Sequence, residues 1–278
     1  MDGTDVRALA DDDLRAYRRD QVGLIPSEPR RAMNPVQRVA EYLLEGVRAA
    51  GGDVRTARAR AVQWLGEGGV ADPKRLMRQH PFQVFESELW VATVVEALLR
   101  EPDLLLVDVP SAEVESGPRA AVAALLDQVR LDSARPGGAQ SCGARARSGG
   151  AQSGGGVGVL RVFADLEPAL AVCDRVVVMC GGRSVEAGNA ETLRRAARHP
   201  YTRALLGVPP PHDRRIEPEA VVGEPAPSAA EAAGLGCPYV ARCPIAIERC
   251  VDEMPEPVRY GGGEARCFRV APEEEGSR

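Results

Sequence analysis

The amino-acid sequence predicts an α/β protein built around a parallel sheet. The clearest strand is Leu104–Asp108, a continuous apolar run that ends in a carboxylate, as strands buried on both faces do. A helical period precedes it, because Val36, Val39, Leu43 and Val47 recur at the spacing of one helix face. Strands then alternate with helices between residues 157 and 197. This alternation is typical of a layered α/β domain.

The elements before this strand follow from local signals. Asp11–Arg19 is polar and predicted to be helical, and Val22–Ile25 is a short strand that Pro26 interrupts. The helix that contains Val36 and Val47 stops at the pair of glycines at 51 and 52. Two further helices are predicted, at Thr56–Leu65 and Leu89–Arg100.

The second half of the chain is less uniform. A stretch from Asp132 to Gly156 is rich in Gly, Ser, Ala and Arg and is interpreted as a flexible surface insertion. Pro209 opens a proline-rich linker, which leads to a cysteine-rich tail. The remaining predicted elements are helices at Pro118–Val129, Leu166–Val172 and Glu191–Ala197, and strands at Val157–Phe163 and Arg175–Met179.

Composition excludes several classes of protein. The chain has 278 residues, a net charge of −5 and 4% aromatic residues, so it lacks the basic, aromatic surface of a nucleic-acid-binding protein. No apolar run has the length of a membrane span. Met1–Asp20 is charged and does not have the pattern of a signal peptide. These features predict a cytosolic protein whose seven cysteines do not form a disulfide framework.

Four of the cysteines have a spacing that suggests a ligand set. Cys237, Cys243, Cys250 and Cys267 follow the pattern C-x5-C-x6-C-x16-C, and four thiolates bind either zinc or an iron–sulfur cluster. The paired C-x2-C hooks of structural zinc sites are absent. Four unliganded thiols are the plainer alternative. The other three cysteines, Cys142, Cys173 and Cys180, lack such spacing.

Several segments, in order, resemble the ATP-binding subunits of dipeptide, oligopeptide and nickel ABC transporters. Ile25–Pro29 is similar to that family's Q-loop, and Pro102–Asp108 resembles its Walker B strand. Asp174–Gly188 resembles the strand pair after the switch histidine. The most specific match is His199–Leu206, which reads His-Pro-Tyr-Thr-Arg-Ala-Leu-Leu. The resemblance extends from about Asp2 to Phe268.

The resemblance implies a truncated ABC-transporter ATPase fold. Residues 1–206 would form the RecA-like ATPase domain, with a helical subdomain at about 36–100 and a sheet at Leu104–Gly188. Residues 207–278 would form the linker and the cysteine-rich extension. The resemblance also implies a 4Fe–4S cluster on the four tail cysteines, with zinc as the alternative. It further implies ABC permease subunits and a second ATP-binding subunit as partners, at the inner face of the membrane.

The departures from the family pattern lie at the residues that would bind and hydrolyse ATP. No phosphate loop is present, because the single lysine, Lys74, has no glycine loop around it, and the chain is expected to begin after that loop. Asp108, the Walker B aspartate, is the one such residue retained, and we interpret it as a vestigial ligand. The replaced positions are the Q-loop glutamine (Ser27), the signature motif (Val84–Glu88, with Glu86 and Glu88), the catalytic glutamate (Val109) and the switch histidine (Ala164).

The sequence therefore predicts no catalytic residue, and ATP and Mg²⁺ are not expected to bind. The leading hypothesis is a catalytically degenerate ATP-binding-type subunit of a peptide-family importer. Two alternatives stay open. One is an active subunit read from an incomplete gene, although that does not restore the residues replaced at Glu86, Val109 and Ala164. The other is a remnant without function.

Overall fold

A computed structural model describes residues 5–108, 157–207 and 234–271. These residues form two compact units, Met1–Val162 and Phe163–Arg278. The predicted helix at Pro118–Val129 and the predicted insertion at Asp132–Gly156 lie outside the described residues, as do Val109, Cys142 and most of the proline-rich linker.

The first unit contains a three-stranded parallel sheet. Its strands are β1 (Val22–Ile25), β2 (Leu104–Asp108) and β3 (Gly158–Val162), in the spatial order β1-β2-β3. Ile25 lies opposite Val107, and Val107 lies opposite Arg161. The apolar run that predicted β2 is therefore the central strand, as its continuous hydrophobicity indicated.

The other described elements of the first unit are helices. They are α1 (Asp11–Asp20), α2 (Pro29–Ala32), α3 (Val39–Ala49), α4 (Val54–Glu67), α5 (Pro73–Arg78) and α6 (Glu86–Leu99). Helix α6 is apolar on nearly all sides because α3 and α4 pack on it and it also contacts β1. Its buried residues, among them Leu89, Val94 and Leu98, form the centre of the core.

The second unit contains a four-stranded antiparallel sheet. Its strands are β4 (Arg175–Cys180), β5 (Arg183–Asn189), β6 (Val258–Tyr260) and β7 (Gly263–Ala265), in the order β4-β5-β7-β6. Its helices are α7 (Leu166–Val172), α8 (Ala190–Ala196), α9 (Pro200–Leu205) and α10 (Arg249–Asp252). A second hydrophobic core, which includes Leu170, Val185 and Leu193, lies in this unit.

The strands thus form two sheets, whereas the sequence predicted one sheet over Leu104–Gly188. The hairpin between β4 and β5 accounts for the difference. Its two loop residues, Gly181 and Gly182, have φ angles of 51° and 77°. Two consecutive positive φ angles are the geometry of a tight hairpin turn, which joins antiparallel strands.

The boundary between the two compact units falls between Val162 and Phe163 along the chain. The predicted boundary at residue 206 stays a prediction. Strand β7 of the predicted C-terminal extension pairs with β5, which lies before that boundary, and β6 pairs with β7. The described part of the extension therefore completes a sheet that the preceding segment begins. None of the described helices is both long enough and apolar enough to cross a membrane.

Candidate functional site

The predicted Q-loop and Walker B positions meet at one edge of the parallel sheet. Strands β1 and β2 are adjacent and parallel, so the residues that follow them lie side by side. The Ser27 hydroxyl donates a hydrogen bond to Oδ2 of Asp108, with an oxygen–oxygen distance of 2.6 Å. Asp108 is exposed and ends β2. One of its carboxylate oxygens is therefore occupied by a side chain of the same chain.

The segment at the family's signature position is bound to the segment that follows the Q-loop position. The Arg30 guanidinium donates from Nε to Oε2 of Glu86 at 3.0 Å and from a terminal nitrogen to the carbonyl of Val84 at 2.9 Å. Its other terminal nitrogen donates to the carbonyl of Pro81. The backbone amide of Arg30 also donates to Glu86, at 3.4 Å. A single side chain thus joins α2 to the start of α6.

The beginning of α6 carries negative charge where a phosphate-binding helix carries none. Glu86 and Glu88 lie in its first turn. Carboxylates there interact favourably with the helix dipole, and they repel an approaching phosphate. The only lysine, Lys74, is exposed in the first turn of α5. The described start of α6 therefore carries two carboxylates at the family's signature position.

The remaining predicted nucleotide positions lie elsewhere in the chain. Ala164, at the switch-histidine position, is an exposed residue between β3 and α7. Val109, at the position of the catalytic glutamate, lies outside the described residues.

The four tail cysteines all lie in the second unit. Cys237 and Cys250 are buried, and the backbone amide of Cys237 donates to the carbonyl of Cys250 at 2.8 Å. Cys243 and Cys267 are partly buried. Burial raises the pKa of the Cys237 and Cys267 thiols, and it raises the pKa of Cys243 to about 11. Neighbouring cysteines of the set raise each of these three pKa values further. Cys237, Cys243 and Cys267 therefore each lie near at least one other cysteine of the set.

Proximity does not amount to ligand geometry in this structure. Within residues 5–108, 157–207 and 234–271, no three His, Cys, Asp or Glu side chains are arranged to hold a metal ion. The structure therefore gives the iron–sulfur and zinc interpretations no direct support. The chemistry of the donor set still suits either metal, since four thiols lie in one small unit. The cluster stays a prediction.

A buried carboxylate organises the surroundings of these cysteines, and the sequence interpretation missed it. Glu186 of β5 accepts hydrogen bonds from the backbone amides of Arg198 and His199, at 2.6 and 3.1 Å. It also accepts from the hydroxyl of Tyr260 in β6. The available signal was an acidic residue between Val185 and the small residues Ala187 and Gly188, a pattern that indicates a paired buried charge.

Two more residues without a predicted role hold the tail in place. Arg183 donates to the backbone carbonyls of Gly234, Leu235 and Gly236, at 2.6, 2.9 and 3.1 Å. His199 is buried, and its Nδ1 accepts from the amide of Tyr201 at 3.1 Å, which caps α9. Burial lowers the pKa of His199 to about 4. The His-Pro pair that begins α9 was a usable signal, since proline favours the first helical position.

Comparison with known proteins agrees with these features. Residues 185–250 match the family model described as the oligopeptide/dipeptide transporter, C-terminal region. The chain is 29% identical over 258 residues to the oligopeptide transport ATP-binding protein OppD of Mycobacterium tuberculosis. That match covers 92% of this chain and 39% of the relative. A putative peptide import ATP-binding protein of Brucella melitensis is 28% identical, with 90% and 70% covered. The chain thus spans about two fifths of the mycobacterial relative.

Solved structures of similar fold are ATP-binding subunits. An ATP-binding subunit of an ABC transporter has a TM-score of 0.53 and 20% identity, with 70% of this chain and 68% of that one covered. A dimeric ATP-binding cassette with bound ADP and phosphate has a TM-score of 0.52 and 18% identity, with 68% and 72% covered. At such identities the likeness concerns the fold alone. The chain is therefore similar to the ATP-binding subunits of oligopeptide ABC transporters and has the fold of an ABC ATPase domain.

Proposed function

We propose that this chain is an ATP-binding-type subunit of a peptide-family ABC importer that does not hydrolyse ATP. The similar proteins carry names of peptide transport ATP-binding proteins, which supports the transporter role. The observation that carries the loss of hydrolysis is the pair formed by Ser27 and Asp108. In the resembling family, a glutamine at the position of Ser27 helps to hold Mg²⁺. Here the Ser27 hydroxyl donates a hydrogen bond to the Asp108 carboxylate instead.

The signature position supports the same proposal. Its first glutamate, Glu86, forms an ion pair with Arg30 at the start of α6. A glycine at this place would let backbone N–H groups approach a phosphate. A glutamate adds both bulk and charge. Nothing in this arrangement positions a water or removes a proton from it.

The test is a direct assay of the purified chain. Titration calorimetry with Mg²⁺ and ATP is expected to show no binding, and a phosphate-release assay no activity above a blank. Activity that Asp108→Asn abolishes would overturn the proposal. An in-frame G-x-x-x-x-G-K-[ST] motif directly upstream in the DNA would favour the alternative of an active subunit from an incomplete gene. A chain that never accumulates in cells would favour a remnant.

We also infer that the partner is a permease, contacted through residues Arg30 to Arg100. Three large apolar side chains in this region are exposed, namely Val36 (78%), Phe82 (67%) and Phe85 (76%). His80 links their loops, because its ring stacks on Phe82 and its Nδ1 lies 3.2 Å from the carbonyl of Gln37. Exposed aromatic residues on a fixed loop are typical of protein interfaces.

Co-purification with the permease encoded beside this gene tests the inference. The double variant Phe82→Ser/Phe85→Ser is expected to lose the complex while keeping its melting temperature, because both side chains lie in solvent in the free chain. Leu205→Ser, which alters an exposed apolar residue of the second unit, serves as the control and keeps the complex. Full retention of the complex by the double variant would contradict the docking region.

A second proposal concerns Cys237, Cys243, Cys250 and Cys267, which we infer hold a 4Fe–4S cluster, with zinc as the alternative. The shared environment of the four thiols supports it, since each raised pKa has neighbouring cysteines among its causes. Thiols with raised pKa values are protonated near neutral pH, so metal binding would release protons. When bound, the cluster would cross-link the loops that carry these cysteines.

Anaerobic reconstitution tests the cluster proposal. The expected product is brown, absorbs broadly near ~400 nm and holds about four irons per chain. Cys250→Ser is expected to lose the iron, whereas Cys173→Ser, which lies outside the set, keeps it. A colourless protein with one tightly bound zinc would select the alternative. A protein without metal, whose four thiols all react freely, would contradict both.

A further inference from the structure

The His199 imidazole has a different partner at each ring nitrogen. Its Nδ1 lies 3.1 Å from the backbone nitrogen of Tyr201, and its Nε2 lies 3.8 Å from the sulfur of Cys237. The ring is 1% exposed, and Cys237 is 8% exposed. A tilted contact with Tyr239 packs one side of the imidazole. The ring is therefore held between the start of α9 and the first cysteine of the tail.

The contact at Nδ1 determines where the imidazole carries its proton. A backbone N–H only donates, so the Nδ1 that receives it has a lone pair and no hydrogen. A neutral imidazole with a bare Nδ1 carries its hydrogen on Nε2. That hydrogen lies on the nitrogen next to the Cys237 sulfur. Sulfur is a weak acceptor as a thiol and a better one when a metal or ionisation makes it negative.

We propose that His199 is a positioning residue that donates a hydrogen bond from Nε2–H to the Cys237 sulfur. The bond joins the His199–Leu206 segment to the cysteine set. It gives this segment a structural role in positioning the cysteines. Glu186 fixes the same segment from the other side by accepting the amides of Arg198 and His199. The part of the inference that concerns the metal centre rests on the proposed cluster. The hydrogen bond itself does not.

The chain provides an internal reference for the first test. It contains three histidines, of which His80 has Nδ1 at 3.2 Å from a carbonyl oxygen. A carbonyl only accepts, so His80 carries its hydrogen on Nδ1, the opposite nitrogen to His199. Nitrogen-15 NMR of the histidine-labelled, metal-free chain distinguishes the two forms. We expect His199 to have Nε2–H, with slow exchange of that hydrogen.

Replacement of the acceptor then tests the bond. Cys237→Ala is expected to shift the Nε2–H resonance of His199 and to speed its exchange, while His80 stays unchanged. Cys237→Ser replaces the sulfur acceptor by an oxygen acceptor, so the Nε2–H resonance of His199 is expected to shift there as well. If the alanine variant does not fold, the serine variant provides the test. An Nδ1–H form of His199, or a resonance that neither variant moves, would overturn the proposal.

Two variants at position 199 test the link to the metal centre. His199→Asn keeps an acceptor near the position of Nδ1 and removes the donor, whereas His199→Gln places an amide N–H near the position of Nε2. After reconstitution, we expect the asparagine variant to lose iron to a chelator about tenfold faster than the unaltered chain. Its reduction potential also becomes more negative, since hydrogen bonds to cluster sulfurs raise the potential. The glutamine variant retains most of both properties.

The outcomes separate this inference from the cluster proposal. If the unaltered chain takes up no iron, the cluster proposal fails and the NMR measurements alone decide the role of His199. If iron is bound and both variants match the unaltered chain in release rate and potential, the inferred role at the metal centre is wrong. If the glutamine variant loses iron quickly and the asparagine variant does not, His199 supports the tail through its cap alone, which overturns the role of the hydrogen bond at the metal centre.

Discussion

The side chain of Arg30 connects the segment after the Q-loop position to the segment at the signature position. It reaches Glu86 and the carbonyls of Pro81 and Val84, and thereby holds the start of α6 against the segment after β1. The contact includes an ion pair within the chain, so it needs no bound ligand to join α2 to α6.

Removal of this side chain gives a prediction at the scale of one residue. Arg30→Ala is expected to lower the free energy of unfolding of the first unit by about 1–3 kcal/mol, because Glu86 and two carbonyls lose a charged donor. Urea unfolding measures the loss. Arg31→Ala is the matched control, since Arg31 is 82% exposed and pairs with Glu28 within the same turn. Its expected cost is within about 0.5 kcal/mol, and equal costs for the two variants would contradict the role of Arg30.

The elements that the sequence predicted well are those with an unbroken apolar pattern. Strands β1 and β2 and helix α7 have the predicted bounds, because each pairs or packs along its whole length. Helices α5 and α9 were missed. Each is six residues long and begins with a proline, a residue that favours the first position of a helix.

The antiparallel sheet was harder to predict for a related reason. Strands β6 and β7 have three residues each, and their period-two pattern is too short to detect. Their place in the sheet depends on pairing with β5, a partner about 75 residues away in the chain. The residues of the candidate site show the same difference between local patterns and long-range contacts. Ser27, Asp108 and the cysteines followed from motifs, whereas the bonds of Glu186 and His199 depend on contacts that only the folded chain creates.

Helix α6 gives a prediction at the scale of the element. Its Glu96 is almost buried and pairs with Arg100 at 3.1 Å. Burial raises the pKa of Glu96, Arg100 partly offsets this, and Glu45 adds to it. Above the unfolded pKa of about 4.5, the folded chain therefore keeps a proton that the unfolded chain has lost. Stability is expected to fall as the pH rises from there through the raised pKa.

Denaturant unfolding between pH 4.5 and pH 8 measures this effect. Glu96→Gln cannot ionise, so its advantage over the unaltered chain is expected to grow with pH across that window. Glu67→Gln, at the exposed end of α4, provides the control and should follow the unaltered chain. A difference between Glu96→Gln and the unaltered chain that stays constant with pH would refute the inferred protonation.

At the scale of the whole molecule, the two units are stabilised by different kinds of contact. The first is a parallel sheet packed with helices and has one large hydrophobic core. The second has a smaller core, to which buried cysteines contribute. Its polar centre is Glu186, whose carboxylate connects β5, the start of α9 and β6. The second unit is therefore expected to depend more strongly on single polar contacts.

Tyr260→Phe tests this dependence. Loss of the hydroxyl leaves the buried Glu186 short of one donor, at an expected cost of about 1–3 kcal/mol. Because Glu186 lies close enough to Cys267 to influence its thiol, modification of the tail thiols by a disulfide reagent should become faster. Thr192→Val removes a more exposed hydrogen bond, 2.9 Å to the carbonyl of Gly261 in the same hairpin, and should change the rate much less. Equal rates in both variants would argue against Glu186 as the centre of the unit.

The pairing of β5 with β7 changes what a shortened version of this chain would be. A protein cut at the linker would lose two of four strands, and β5 would become an outer strand with unpaired amides and carbonyls along one side. An exposed edge strand with unpaired backbone groups can pair with strands of other chains, so the shortened protein would be expected to self-associate. The C-terminal tail is therefore an integral part of the antiparallel sheet and not a separate attachment to it.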